Sequence, residues 1–448
     1  MLSADAIVIG SGQGGVPLAV DLARAGKRVV LFERGRLGGS CVNYGCTPSK
    51  AFLAAAHAAG RARLAAALGI HADVRVDFQA VMDRVRGIRD RFTAGVVSRL
   101  ESAGVQVVHG EAAFKDAHSV VAAGVVVEAP LVVINTGTNP LLPEIAGLAG
   151  VPLLTNLNLF ELTALPRRLV VLGGGYIGLE FGQGMARLGS EVHIVHRGAW
   201  LLNSEESEVG DVLAEAFFRD GIAVHLDTQV REVQYIDGVY HLMLSSGEVL
   251  EAEGVIVATG RRPNTEMLNA PAAGIALDDE GYVQIDAQFR TSAPGVYAIG
   301  DVAKQPAFTH VSWEDYRRLI DILDGGSRTR DDRVLGYAVY TEPQVGRVGL
   351  TLAEAEALGL RARAVTLPMG HIARAIEWGH DLGFYRLVVE EGSERILGAT
   401  LVGYEAGELV HVLLAHMQAG STWRVLEQSV HIHPTYAESL PSLARLLV

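Results

Sequence analysis

The chain has 448 residues, 49% of them hydrophobic, and a formal net charge of −13. Its length predicts two to four domains with sizeable cores, and its acidic balance argues against nucleic acid or an anionic membrane surface as the main partner, since both call for basic patches. No run of eighteen apolar residues occurs, so no transmembrane helix is expected; the opening MLSADAIVIGSGQGG has no basic start before Arg24 and does not read as a signal peptide, which places the chain in the cytoplasm.

The chain opens on ADAIVIG, a buried apolar strand, followed by Gly10-Ser11-Gly12-Gln13-Gly14-Gly15. VPLAVDLARAG then carries helical periodicity and stops on Gly26, with Pro17 in the first turn, where a missing N–H costs little. KRVVLFERG is the next strand and ends on Glu33. Strand, glycine turn, helix and an acid about twenty residues on form a dinucleotide fingerprint, in which Gly10, Gly12 and Gly15 let phosphates approach and Glu33 bonds a ribose hydroxyl.

GGSCVNYGCTPSK, residues 38–50, holds Cys41 and Cys46, the only two cysteines. In a cytoplasmic chain such a close pair is more often redox-active or metal-binding than a structural disulfide. No neighbouring Cys or His completes a zinc set, so no metal is expected; two buried apolar cysteines are the other reading. Cys46 precedes an alanine-rich helical run, and a helix N-terminus favours a thiolate. Lys50 lies four residues on and shares that helical face, whether as a tuning cation or as a plain solvated lysine.

The fingerprint recurs in RRLVVLGGGYIGLEFGQGMARLGSEVHIVHRG, with Gly173, Gly175 and Gly178. At the ribose position stand His196 and Arg197 rather than an acid. A carboxylate there would repel a 2′-phosphate, whereas this pair can bind one, so NADPH is expected over NADH. Tyr176 and Glu180 follow at i, i+4 on the next helix and face one side. LVVINTGTNPLLP and VIVATGRRPN each end a strand in a T-G turn, at Thr136-Gly137 and at Gly260. TSAPGVYAIGDV places Asp301 after a further strand. From about Gly336 the texture changes to mixed strands and helices, which reads as a separate α+β domain closing on HIHPTYAESLPSLARLL.

Taken in order, these motifs resemble the flavoprotein disulfide reductases, the pyridine nucleotide-disulfide oxidoreductases that include dihydrolipoamide dehydrogenase, glutathione reductase and mercuric reductase. The resemblance covers essentially the whole chain. It implies an α/β fold of two Rossmann-like dinucleotide-binding domains plus a C-terminal α+β dimerisation domain. The expected division is an FAD-binding domain over 1–150, an NAD(P)-binding domain over 151–265, a second part of the FAD domain over 266–335 and the dimerisation domain over 336–448. It further implies a redox disulfide between Cys41 and Cys46. Cys46 is then the charge-transfer thiol against the flavin, and Cys41 the thiol that attacks substrate. By the same resemblance Tyr176 covers the flavin until nicotinamide arrives, and Glu180 pairs with Lys50. Ala112 contacts adenine through its backbone, and Asp301 accepts from a ribityl hydroxyl. His433, in the HPT-x-x-E pattern with Glu438, is the base supplied by the partner subunit of a homodimer, with His431 as its competitor. A carboxylate bonded to imidazole orients it and raises its basicity.

The resemblance leaves the substrate open between a small disulfide and a metal ion. The chain ends in SLARLLV without a terminal cysteine pair, and no cysteine-bearing metal-binding segment precedes the flavin motif, which disfavours mercuric reduction. His196 disfavours dihydrolipoamide dehydrogenase, and two active-site cysteines disfavour a soluble transhydrogenase. Tyr44 and Thr47 depart from the aliphatic residues usual in this loop. A flavin-bearing redox sensor without rapid turnover is the alternative from a different functional class.

Overall fold

The computed structural model describes residues 2–448. The chain runs through β1 (Ala6–Ile9), α1 (Gly15–Arg24), β2 (Val29–Glu33), α2 (Cys46–Leu64), α3 (Phe78–Ser102), β3 (Gln106–His109) and β4 (Leu131–Ile134). It continues through β5 (Arg168–Leu172), α4 (Tyr176–Leu188), β6 (Glu191–Val195), β7 (Ala223–His225) and β8 (Gly254–Val257), then β9 (Val296–Ala298) and α5 (Thr309–Leu323).

β1, β2, β3, β4 and β9 form one parallel sheet in the order β9-β4-β1-β2-β3. β5 to β8 form a second parallel sheet in the order β7-β6-β5-β8. The two sheets repeat one plan: each glycine turn leaves the carboxyl end of a central strand (β1 or β5), where open α/β sheets bind ligands. β1, and β5 from Leu169 on, are continuous apolar runs because helices and loops cover both their faces. β9 joins the first sheet about 160 residues after β4, so the first unit is interrupted by the second and completed after it.

The remainder from Gly336 is built on a five-stranded antiparallel sheet whose outer strands are Gly336–Val339 and Ala362–Pro368. Its own apolar core includes Tyr385, Leu401, Leu413, Trp423 and Leu443.

Four features aim α2 at the second unit. Gly45 precedes it in an irregular conformation, and Pro48 sits in its first turn, where the missing N–H is unneeded. Phe52 and Phe160 meet edge to face at 6.3 Å, and Phe160 and Phe181 at 5.8 Å, which locks α2 against α4. Gly184 makes that approach possible: a Cβ there would lie 2.3 Å from the Phe52 ring. The docking of these helices brings Lys50 to Glu180.

Candidate active site

A cleft of ≈ 1020 Å³ opens where the glycine turn after β1, the cysteine loop, α4 and the start of α5 converge. Of the residues singled out by sequence, it is lined by Gly10, Gly12, Glu33, Cys41, Cys46, Lys50, Ala112, Thr136, Gly137, Tyr176, Glu180 and Asp301. Gly15 lies just beneath, at the start of α1. Its N–H donates to Asn135 Oδ1 at 2.9 Å, and a Cβ on it would meet the Gly10 carbonyl oxygen at 2.1 Å. Gly173, Gly175, Gly178, His196, Arg197 and Gly260 sit around the second sheet, outside the cleft lining.

Glu33 is tied in place. Oε2 accepts from the Ser11 N–H at 2.9 Å and the Ser11 hydroxyl at 2.6 Å, and Oε1 accepts from the Gly35 N–H at 2.7 Å. Each carboxylate oxygen has two acceptor sites, so capacity remains for a ribose hydroxyl. The Thr136 hydroxyl is buried in the cleft wall without a partner. A buried hydroxyl left unpaired is costly, and a ligand in the cleft satisfies it. The Asp301 carboxyl is pushed up by burial, against the opposing pull of the Arg261 guanidinium and the Thr138 hydroxyl, which donates to it at 2.9 Å. A cleft with a glycine turn, a ribose acid, an orphan hydroxyl and a half-buried carboxylate fits a flavin dinucleotide.

Both cysteines are free thiols here, and Cys46 is the first residue of α2. Its thiol is held down at about 6, chiefly by a hydrogen bond from Cys41 and then by Thr309 and the Lys50 ammonium, which together outweigh burial. The Thr309 hydroxyl lies 3.0 Å from the sulfur, at the N-terminus of α5. Cys41 is pushed far up, chiefly because it donates its proton to Cys46 and then because it is partly withdrawn from water. The pair therefore divides its labour: Cys46 carries the charge and Cys41 the proton.

Lys50 Nζ donates to Glu180 Oε2 at 2.7 Å, and Glu180 is almost wholly buried. Tyr176, one turn before Glu180, is pushed up to about 12 by burial and stays a neutral phenol. Its ring lies 5.7 Å from Phe308.

His433 and Glu438 do pair, Nδ1 to Oε2 at 2.8 Å, but neither lines the cleft of its own chain. His433 stands exposed beside Val430 and Ile432, at 98% and 79% exposure.

His196 departs from expectation. Its ring is turned inward and buried, and its Nδ1 accepts from the Gly174 N–H at 3.1 Å. Burial, with the Arg197 charge beside it, lowers its pKa, so it is a neutral structural imidazole rather than a cation for a 2′-phosphate. The loop at Gly198 closes over it: a Cβ there would lie 2.6 Å from Nε2. Arg197 alone is the exposed cation at that position.

The residues missed by sequence are Asn135, Thr309 and Tyr340. Asn135 lies inside the quoted INTG turn, yet nothing in the turn signals that its side chain bonds Gly15, the Ile299 carbonyl and Ser312. Thr309 and Tyr340 come from segments far along the chain.

Residues 4–315 match the pyridine nucleotide-disulphide oxidoreductase family, and residues 336–444 its dimerisation domain. The chain belongs to that family. Among its relatives in it are a mercuric reductase of Acidithiobacillus ferrooxidans, 36% identical over 98% of this chain and 81% of the relative, and a dihydrolipoyl dehydrogenase of Haloferax volcanii, 34% identical over 98% and 95%. Among solved structures, the Cu(II) complex of the HOCl-induced flavoprotein disulfide reductase RclA from Escherichia coli superposes with a TM-score of 0.91. It is 30% identical and covers 100% of both chains. This chain is therefore a pyridine nucleotide-disulphide oxidoreductase of the flavoprotein kind, and its dimerisation domain supports a homodimer. Among the described residues no helix is long and apolar enough to cross a membrane.

Proposed function

We propose that this enzyme takes a hydride from NADPH and passes two electrons to the Cys41–Cys46 disulfide, then to a small oxidised substrate. The domain division at about 150, 265 and 335 belongs to the same reading, as does a cytoplasmic location suited to a reducible cysteine pair. FAD, when bound, supplies the hydride-accepting ring between nicotinamide and sulfur. The carrying observation is that Cys41, Cys46, Lys50, Glu180 and Tyr176 line one cleft with Glu33, Thr136 and Asp301.

The chain's own groups have separable tasks. Lys50, fixed by Glu180, keeps a positive charge over the redox centre. Tyr176 closes the nicotinamide side as a neutral ring. After the disulfide opens, Cys46 holds the thiolate and Cys41 needs a base, because its proton is strongly held. His433 of the partner subunit, oriented by Glu438, is that base. With a disulfide substrate the balance is NADPH + H⁺ + RSSR → NADP⁺ + 2 RSH, through a mixed disulfide on Cys41. The preference for NADPH rests on Arg197 and on the missing ribose acid.

A metal ion is the second acceptor class, supported by the Cu(II)-bound state of the Escherichia coli relative. Steady-state assays with a small disulfide and with Cu(II) separate the two.

The test is an anaerobic NADPH titration of the purified yellow protein. A long-wavelength thiolate-to-flavin band is expected at two electrons per subunit. Folded Cys46 sits below its ordinary thiol range, so the band persists at neutral pH and fades as pH falls through about 6. Bleaching of the flavin with no such band at pH 8 would sink the relay.

A further inference from the structure

Lys50 does not rest on Glu180 alone. The Tyr340 ring lies under its ammonium, 4.4 Å from the nitrogen. Tyr340 belongs to the C-terminal domain, just after the strand Gly336–Val339, and it lines the cleft. Its backbone is pinned on both sides. The N–H donates to Glu180 Oε1 at 3.0 Å, while the other Glu180 oxygen accepts from Lys50. The carbonyl oxygen lies 3.1 Å from His57 Nε2, and His57 follows Lys50 on α2 by seven residues.

The direction of that last bond follows from its neighbour. Arg187 Nη1 lies 2.9 Å from His57 Nδ1, and a guanidinium only donates, so Nδ1 accepts and Nε2 carries the hydrogen. Burial, the first cause of a lowered His57 pKa, agrees with this neutral form. The Tyr340 backbone is thus held by an acid on α4 and a histidine on α2, which fixes the point from which its ring reaches the ammonium.

We propose that Tyr340 is a positioning residue, whose ring holds the Lys50 ammonium at the flavin end of the cleft. An ammonium on a four-carbon stem samples many rotamers unless it is pinned. Glu180 takes one of its three N–H donors and the ring face attracts the charge from another side, leaving the third donor for the cleft. The consequence is that the dimerisation domain reaches the redox centre within one chain and helps to set its charge.

This rests on the flavin reading of the cleft, and its test is chosen to stand apart from turnover. The chain has four lysines, so Lys50 is followed by mass spectrometry in the FAD-bound enzyme against Lys27, Lys115 and Lys304 as internal references. An amine-selective acylating reagent is expected to modify Lys50 about threefold faster in Tyr340→Leu, the scale of one partly exposed cation–π contact. The flavin midpoint potential falls in the same variant, because the fixed cation favours the reduced, anionic ring. Tyr340→Phe restores both readouts, since the ring and not the hydroxyl faces Lys50. A ring-fluorinated phenylalanine at 340, which keeps the shape and weakens the quadrupole, moves both toward the leucine values, and it serves where Tyr340→Leu does not hold its flavin. Unchanged acylation and potential in the leucine or fluorinated protein, or a Tyr340→Phe that behaves like leucine, overturns the proposal. Failure of the wild type to be reduced by NADPH counts against the function proposed above and leaves the acylation result standing.

Discussion

The two glycine turns of this chain are built alike and finished differently. In both, the first glycine packs on a carbonyl from a neighbouring strand end: a Cβ on Gly10 would meet the Asn135 oxygen at 2.4 Å, and one on Gly173 the Ala258 oxygen at 2.4 Å. In both, the residue after that glycine donates its N–H to a side chain twenty-two positions on, Ser11 to Glu33 and Gly174 to His196. The finish differs at the matching strand ends, Asn135 after β4 and Ala258 after β8. The Asn135 side chain locks the first turn through Gly15, and Ala258 has no group to do so. The middle glycine shows the result: a Cβ on Gly12 would lie 2.8 Å from Asn135 Oδ1, while one on Gly175 meets nothing within 4 Å. A turn cross-linked by buried side chains suits a dinucleotide that stays. An open one suits a coenzyme that must come and go.

The sharpest way to break this comparison is to place alanine at both middle glycines. Gly12→Ala forces Asn135 to move and puts a methyl in the first turn, so the purified protein is expected to lose most of its flavin. Gly175→Ala is expected to keep a wild-type flavin-to-protein ratio, because its backbone is in an extended conformation that alanine adopts freely. Its penalty falls on NADPH KM alone. The ratio of 450 nm to 280 nm absorbance, with roughly fivefold separation taken as the criterion for this order-of-magnitude contrast, decides the matter. Equal flavin loss from both variants would show that the two turns are not differentiated.

What the two turns share was legible in the sequence, and what separates them was not, for one cause. Glycine spacing, Glu33 and the cysteine loop are local patterns, and local patterns carry the backbone demands of a strand–turn–helix unit. The contacts that differentiate the site join residues far apart: Asn135 to Gly15, Thr309 to Cys46, Tyr340 to Lys50. No periodicity encodes which distant side chain arrives at a given atom. His196 shows the same limit in reverse. Its place twenty-two residues after Gly174 is a local pattern, but its ring direction depends on the loop at Gly198 that folds back over it.

That reassignment sharpens coenzyme choice. With His196 neutral and turned inward, Arg197 is the one exposed cation after β6. Arg197→Ala is expected to lower kcat/KM for NADPH about tenfold, near the low end for a hydrogen bond to a charged group, and to leave NADH nearly unchanged. A parallel loss with both coenzymes would mean that Arg197 touches a part the two share, and would sink the proposed preference for NADPH.

The smallest effect concerns the group that replaces Glu33 in the second turn. An imidazole can lose its acceptor by protonation. The His196 pKa is lowered in the folded chain by burial and by Arg197, while the unfolded chain takes up the proton near 6.5. A base whose folded pKa is depressed favours folding fully above the unfolded value, and this contribution is lost as pH falls from about 6.5 toward the folded pKa. His196→Gln keeps an acceptor for Gly174 and does not titrate. The wild type is expected to be the more stable at pH 7.5, and the gap in Tm should narrow on descending to pH 5.5. The variant difference isolates His196 from the other histidines, which are common to both proteins. A gap that stays constant would mean that Nδ1 keeps its bond to Gly174 throughout, and that protonation of His196 does not open the second turn.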